Sequence, residues 1–335
     1  MRILITNPTG RIGRRILPEL LAPEFSVRVL ARDPSRLPRD VLPHVDVIRG
    51  SIDDARALRR ALHGVEALFW CAPSESLQVT DVEQHYERFA CAGWQAIRDA
   101  GTPRVVAVSA CGKGLARQAG PISGLHAMEE ILNESGAAIR HLRCALFMEN
   151  FLSQAPSILG QGRFCYPMPG RIRMPMTAVI DVVDVALRWL VRGDWGGIAG
   201  IAVHGPADLS FEQAADIMSR VLERPVEYNE VTPEDYVRTL LAAGADAGYA
   251  RAQVEMFAEL SQGIARAEPR TVGSTTPTTL AAWVQGELLP AAGLFRAQGQ
   301  SAAGAENPNP VSHPFTHFLS SRGYYDYSEK TISPA

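Results

Sequence analysis

The sequence predicts an α/β protein: a doubly wound parallel sheet with helices on both faces, followed by a smaller, mainly helical lobe. Three observations carry that prediction. From Arg2 to Ser109, short apolar runs rich in β-branched residues alternate with stretches of helical periodicity. Most of these runs are apolar throughout rather than at every second position, as strands covered on both faces require. The first run passes through a glycine-bearing turn directly into a helix, the opening of a strand–helix–strand unit.

That first run is Ile3-Leu4-Ile5, read as a buried strand. The turn is Asn7-Pro8-Thr9-Gly10-Arg11-Ile12-Gly13, and the helix after it carries Ile12, Ile16, Leu17, Leu20 and Leu21 on one side. A strand, a glycine turn and a helix start together form a site for a dinucleotide pyrophosphate. Backbone N–H groups point at the phosphates, and the helix dipole favours their charge. Gly10 lets the backbone come close to the phosphates, and Gly13 lets the helix pack close to the sheet. Asn7 stands where the usual pattern has its leading glycine; asparagine tolerates a positive φ, so the tight turn survives.

The second strand, Ser26–Ala31, ends at Arg32-Asp33-Pro34, where such folds read the adenosine ribose. An arginine there favours the 2′-phosphate of NADPH, while the neighbouring Asp33 keeps NADH open. Val45–Ile48 reads as the third strand, with Ser51 and Ile52 where an adenine ring would lie and Asp53 or Asp54 capping a helix over Ala55–Leu62. Val65–Cys71 is the fourth strand; it runs into Ala72-Pro73-Ser74 at the cofactor-binding carboxyl edge. A long helix spans Val82–Ala100, stopped by Gly101 and Pro103, and Val105–Ser109 is the fifth strand. Pro121–Gly136 holds a helix with Leu125, Met128, Ile131 and Leu132 as its stripe, and Ile139–Cys144 is the sixth strand. Residues 1–150 are thus the dinucleotide-binding domain.

Residues 151–295 read as the smaller lobe, which could share strands with the first. Gly160–Pro175, rich in Gly, Pro and Arg, reads as irregular. Helices are expected over Val182–Val191, over Ser210–Leu222 with Ser210 as cap, twice within 233–266, and over Thr278–Leu289; Ile201–His204 is a strand. Residues 296–335 form a flexible tail: a Gln, Ser, Ala, Gly, Asn and Pro linker, then the aromatic cluster Phe315, Phe318, Tyr324, Tyr325 and Tyr327. Docking of that cluster and its disorder both stay open.

Composition narrows the function. A net charge of −3 offers no basic footprint for nucleic acid. No apolar run approaches the ~18 residues of a membrane span, and the chain opens on a strand rather than an export signal, so a cytoplasmic protein is expected. Cys71, Cys91, Cys111, Cys144 and Cys165 are scattered without a Cys-x-x-Cys pair, which points to neither a disulfide framework nor zinc. The histidines lack the spacing of a metal ligand set.

Taken in order, several stretches resemble the NmrA-like family of atypical short-chain dehydrogenases/reductases: NPTGRIG, ARDP, VVAVSA, LHAMEEILNESG, LRCALFMENF, IDVVDVA, HGPADLSFEQAADIMSRVLERPVEY and GSTTPTTLAAWV. The resemblance covers about residues 1–295. It implies a Rossmann-type lobe, a smaller substrate lobe, and reduction by NADPH of quinones, dyes or phenolic and alkaloid intermediates. Other members bind the dinucleotide without turnover and act as redox-sensing regulators. By the same resemblance Phe147 and Asn150 flank the nicotinamide, and Ser109 stands near the end of the fifth strand where members carry a serine.

The family comparison also exposes a loss. Ordinary short-chain reductases carry Tyr-x-x-x-Lys on the helix after the fifth strand; here Ile122 and His126 fill those places. His126 is the main catalytic candidate, either holding the ribose or supplying a proton, with Glu130 at i+4 placed to orient it and favour its charged form. The bland alternative is a histidine satisfied by Glu130 alone. Ser109 either bonds a substrate oxygen or only caps its strand. Glu149 is a weaker candidate acid, and Arg163, Arg171 and Arg173 either clamp a substrate or lie in a solvated loop. Cys71 and Cys144 read as small hydrophobes.

The expected activity is therefore hydride transfer from NADPH to a carbonyl or conjugated carbon of a bulky aromatic ketone, quinone or related natural-product intermediate, without the usual tyrosine. The alternative is a non-catalytic, redox-sensing regulator acting through a protein partner. An epimerase or dehydratase that recycles bound NAD is less favoured. The oligomeric state stays open.

Overall fold

The computed structural model describes residues 1–291 apart from Pro103 and Ala116. The tail with its aromatic cluster, and Pro103 as a helix stop, lie outside the described residues. The expected alternation is present: β1 (Arg2–Thr6), α1 (Arg11–Glu19), β2 (Ser26–Ala31), β3 (Asp46–Arg49), α2 (Ala55–Leu62), β4 (Ala67–Trp70), α3 (Val82–Ala100), β5 (Arg104–Ala110), α4 (Pro121–Asn133) and β6 (Ala138–Cys144). Asp54 rather than Asp53 caps α2, accepting from the N–H groups of Arg56 and Ala57, and Asp81 caps α3. The helix expected to reach Gly136 ends at Asn133.

A seventh strand, β10 (Ile198–Val203), joins these six in a sheet ordered β10-β6-β5-β4-β1-β2-β3, all of it parallel. The order reverses between β1 and β4, which opens a crevice at the carboxyl ends of those strands. Helix α1 and α6 (Val179–Val191) cover one face, packing Ile16, Leu17, Val182 and Leu190 against Val29, Phe69 and Val106. Helices α2, α3 and α4 cover the other with Leu58, Phe89, Met128 and Leu132 against Leu68, Trp70 and Val105. The sheet's apolar runs are therefore explained by helices on both sides.

Beyond β6 the chain makes β7 (Leu146–Phe147), a 3₁₀ turn over Met148–Gln154, and α5 (Ala155–Gln161). The region expected to be irregular then holds two strands, β8 (Arg163–Tyr166) and β9 (Met174–Thr177). Sequence periodicity missed them because each has four residues, and because their partners are distant: β8 pairs with β12 (Glu227–Glu230), and β9 with β7 and with β11 (Asp208–Leu209). Helices α7 (Phe211–Leu222, capped by Ser210), α8 (Pro233–Ala242), α9 (Ala247–Ser261) and α10 (Leu280–Trp283, extended by a π turn to Leu288) follow as expected. A separate apolar cluster unites this part, with Phe151, Phe164, Phe211, Tyr166 and Phe257 linked in a chain of ring contacts. Among the described residues no helix is long and apolar enough to cross a membrane.

Helix α3 approaches the sheet closely at Gly93, where an added Cβ would fall 2.4 Å from the ring of the fully buried Trp70. Gly93→Ala is predicted to destabilise the protein by about 1–3 kcal/mol through overpacking, read as a lower urea midpoint at unchanged slope.

Candidate functional site

The crevice is walled first by the turn between β1 and α1. Asn7 takes φ +49°, as an asparagine replacing glycine should, and its carbonyl accepts from Gly10 N–H at 3.1 Å. Gly13 lies beneath that carbonyl: a Cβ there would fall 2.2 Å from Asn7 O and 2.8 Å from Pro8 Cα. No side chain caps α1, so the N–H groups of Arg11, Ile12 and Gly13 face outward without an intrahelical partner. The Ile12 side chain is core, leaving only its backbone to a ligand. Thr9 O holds Arg14 Nε at 3.0 Å, and Arg11 Nη1 reaches across to Glu149 O at 2.9 Å.

Past β2, Asp33 is committed to its own turn, accepting from Ser35 N at 3.1 Å and Ser35 Oγ at 2.6 Å, and these bonds hold its carboxyl below the usual range. Arg32 is exposed and in no ion pair among the described residues. Ser51 is half-buried, and Ile52 is buried against Leu30 and Leu58. The loop after β4, with Ala72 and Pro73 half-buried, is pinned by His85 Nε2 on Pro73 O at 3.0 Å. It is also laced to the far lobe through Asp246 N on Leu77 O at 2.7 Å and Gln253 Nε2 on Glu75 Oε1 at 3.3 Å. A 690 Å³ depression beside Arg104, Ala138 and Ile198 lies at the opposite, amino edge of the sheet.

At the end of β5 the expectations need correction. Glu130 does not orient His126; it pairs with Lys113 at 2.7 Å, and Lys113 Nζ also donates to His126 O at 3.1 Å. The buried His126 ring places Nε2 2.9 Å from Ala110 O, so the proton sits on Nε2 and Nδ1 is left as an acceptor. Burial, only partly opposed by that bond and by Glu129, lowers its pKa instead of raising it. Such an imidazole is neutral at pH 7 and has no spare proton to give. Ser109 is enclosed, with 2% exposure; its hydroxyl lies near Glu129, whose charge it helps stabilise, yet makes no hydrogen bond of standard geometry.

Glu129 was not anticipated. It is 1% exposed and receives a two-pronged bond from Arg143, at 3.1 and 2.8 Å, across the ends of α4 and β6. Burial pushes its pKa up, but Arg143 and the nearby His141 outweigh that and hold it down. Lys113 was missed too, although the chain has two lysines, Lys113 and Lys330, and one stands directly after the fifth strand. Phe147 is half-buried and Asn150 exposed on the 3₁₀ turn. Glu149 is no free acid: its carboxylate is filled by the N–H groups of Val179 and Trp283. Arg163 and Arg173 lie on the surface bonded to Gln161 and Asp208 O, and form no clamp.

A family model described as NAD(P)H-binding matches residues 8–145. The (4-alkanoyl-5-oxo-2,5-dihydrofuran-3-yl)methyl phosphate reductase of Streptomyces griseus is 33% identical over 245 residues, covering 72% of this chain and 80% of that one. The chain belongs to the NAD(P)H-binding, NmrA-like family of atypical short-chain dehydrogenases/reductases. An NAD(P)H azoreductase of Xenophilus azovorans is 25% identical over 283 residues, covering 82% of this chain and 94% of that one. Among solved structures, the NADPH complex of an Escherichia coli quinone oxidoreductase superposes with a TM-score of 0.72 at 23% identity, over 84% of this chain and 98% of that one. The triphenylmethane reductase of Citrobacter with NADP(H) gives 0.69 at 19%, over 84% and 99%. With relatives that are named reductases, the chain is an NAD(P)H-dependent oxidoreductase. Ile122, which the resemblance sets at the tyrosine position of ordinary short-chain reductases, is buried in the apolar cluster of the smaller lobe.

The buried histidines make stability pH-dependent. Burial lowers His141 from 6.5 to about 4, with Glu129 opposing and Arg143 adding to the shift. Between those values the unfolded chain binds a proton that the folded chain refuses, so stability falls as pH drops through that window, by about 3 kcal/mol at its limit. Urea unfolding from about pH 7 to about pH 5 is predicted to show this slope, and His141→Gln to flatten it.

Proposed function

We propose that the protein transfers hydride from NADPH to a carbonyl or conjugated carbon of a bulky aromatic ketone, quinone or related natural-product intermediate, with no protein tyrosine as acid. The observation that carries the reading is the combination of an uncapped α1 over a Gly13-enabled turn with the apolar Ile122 at the usual tyrosine position. The pyrophosphate would lie on the N–H groups of Arg11, Ile12 and Gly13, beside Asn7, Thr9 and Gly10. Arg32 would take the 2′-phosphate, since Asp33 is already spent on Ser35. Ser51 and Ile52 would border the adenine, and Ala72 and Pro73 the ribose. His126, with Nδ1 as acceptor, would receive a bond from a nicotinamide-ribose hydroxyl, while Phe147 and Asn150 would flank the ring. Ser109 would act indirectly, by supporting Glu129 under α4.

When bound, the dinucleotide supplies the hydride; the chain supplies its orientation. The proton then comes from solvent or from a hydroxyl on the substrate. The named activities of the relatives support a conjugated, aromatic acceptor.

The test is NADPH oxidation against a panel of quinones and aryl ketones. Turnover of at least one is the predicted result, and an aryl ketone reduced with NADPH dideuterated at C4 is predicted to give an alcohol carrying one carbon-bound deuterium. NADPH held tightly and left unconsumed across the panel would overturn it. Arg32→Ala is predicted to raise KM for NADPH by about ten- to a hundredfold, the worth of a charged hydrogen bond, while leaving KM for NADH within about threefold.

A further inference from the structure

Glu149 is held by three bodies at once. Its backbone carbonyl takes Arg11 Nη1 at 2.9 Å. Its carboxylate, on a residue 2% exposed, places Oε1 and Oε2 3.0 and 3.1 Å from Val179 N–H, and Oε1 also accepts from Trp283 Nε1 at 3.1 Å. Val179 is the first residue of α6, and Ala178 before it provides no side-chain cap. The carboxylate therefore caps α6 from another part of the chain and meets its positive dipole end. The circuit closes on α1, whose Arg15 pairs with Glu287, in the same terminal helical segment as Trp283, at 2.7 Å.

The position of these contacts gives them a use. Arg11 opens α1 at the proposed phosphate site. Glu149 lies between Phe147 and Asn150, the residues proposed beside the nicotinamide. One guanidinium thus stands at the anionic end of the cofactor and grips the peptide that borders its reactive end. We infer that Glu149 is a positioning residue: anchored to α6 through its carboxylate and to Arg11 through its carbonyl, it couples phosphate binding to the placement of the Phe147–Asn150 segment against the nicotinamide. The inference rests on the dinucleotide reading above. Sliding the segment would strip the cap from α6 and leave a buried anion without donors, so its position is stiff. Burial raises the carboxyl pKa, while the Val179 N–H and the charge of Arg15 act in the opposite sense. A carboxylate so occupied has no part as an acid.

Hydrogen–deuterium exchange of the whole chain tests this, with NADP⁺ at saturation for each variant. In the wild type NADP⁺ is predicted to protect both residues 7–13 and residues 148–154. Arg11→Met keeps the first protection and loses the second. Glu149→Gln, of equal size but short of one acceptor, lowers kcat about tenfold, shifts KM for NADPH less than about threefold, and erodes the stereospecificity of hydride transfer. If Glu149→Gln fails to fold, the Arg11→Met exchange pattern decides alone. Protection of 7–13 without 148–154 in the wild type, or unchanged protection of 148–154 in Arg11→Met, overturns the coupling. No protection of 7–13 in the wild type overturns the dinucleotide reading itself.

Discussion

The site depends on one close approach: the backbone of Asn7 and Pro8 against the first turn of α1. It exists because Gly13 has no side chain where the Asn7 carbonyl passes. Any Cβ would push the helix away from β1, and the uncapped N–H groups would lose their aim at the crevice. Asn7 meets the second demand of the turn, a positive φ, without glycine. Its amide then lies 3.9 Å from Cys71 Sγ, which links the turn to the end of β4 on the other side of the topological switch. That buried thiol, its pKa pushed up by burial to about 11, acts there as packing.

From this wall outward, the site is held by charges turned inward rather than toward solvent. Glu129 and Arg143 lock α4 to β6, Lys113 ties the β5 loop to α4, and Ala110 O fixes His126. A buried pair of this kind is weak evidence for net stability, because desolvation offsets the attraction. Its visible effect is geometric: it sets the depth of α4, hence the position of His126 and Ile122. The far lobe adds a buried cluster of ring on ring, and the loop after β4 is bonded across to Asp246, which caps α9, and to Gln253 within it.

Much of the nucleotide-binding half was legible in the sequence because its signals are local. Six parallel strands and the helices between them follow from apolar runs, periodicity and caps such as Asp54 and Asp81. The turn was legible because it follows a strand and opens a helix. What failed was set by contacts distant in the chain. β8 and β9 are four residues each and exist through β12, β7 and β11. Helical spacing made Glu130 a neighbour of His126, but a lysine from the preceding loop claimed it first. Glu149 read as a spare acid because nothing in its neighbourhood reveals that Val179, thirty residues on, supplies the N–H it accepts. The strand β10 falls within the residues read as the second lobe and completes the first lobe's sheet, the sharing of strands that the sequence left open.

The central claim is that the turn around Gly13 binds a nicotinamide dinucleotide and that Arg32 selects its phosphorylated form. Calorimetric titration of the apoprotein with NADPH and with NADH tests it most directly. The account predicts saturable binding of one NADPH per chain, with NADH at least about tenfold weaker, the worth of one charged contact. Absence of saturable heat with either nucleotide, or equal affinity for both, would contradict it.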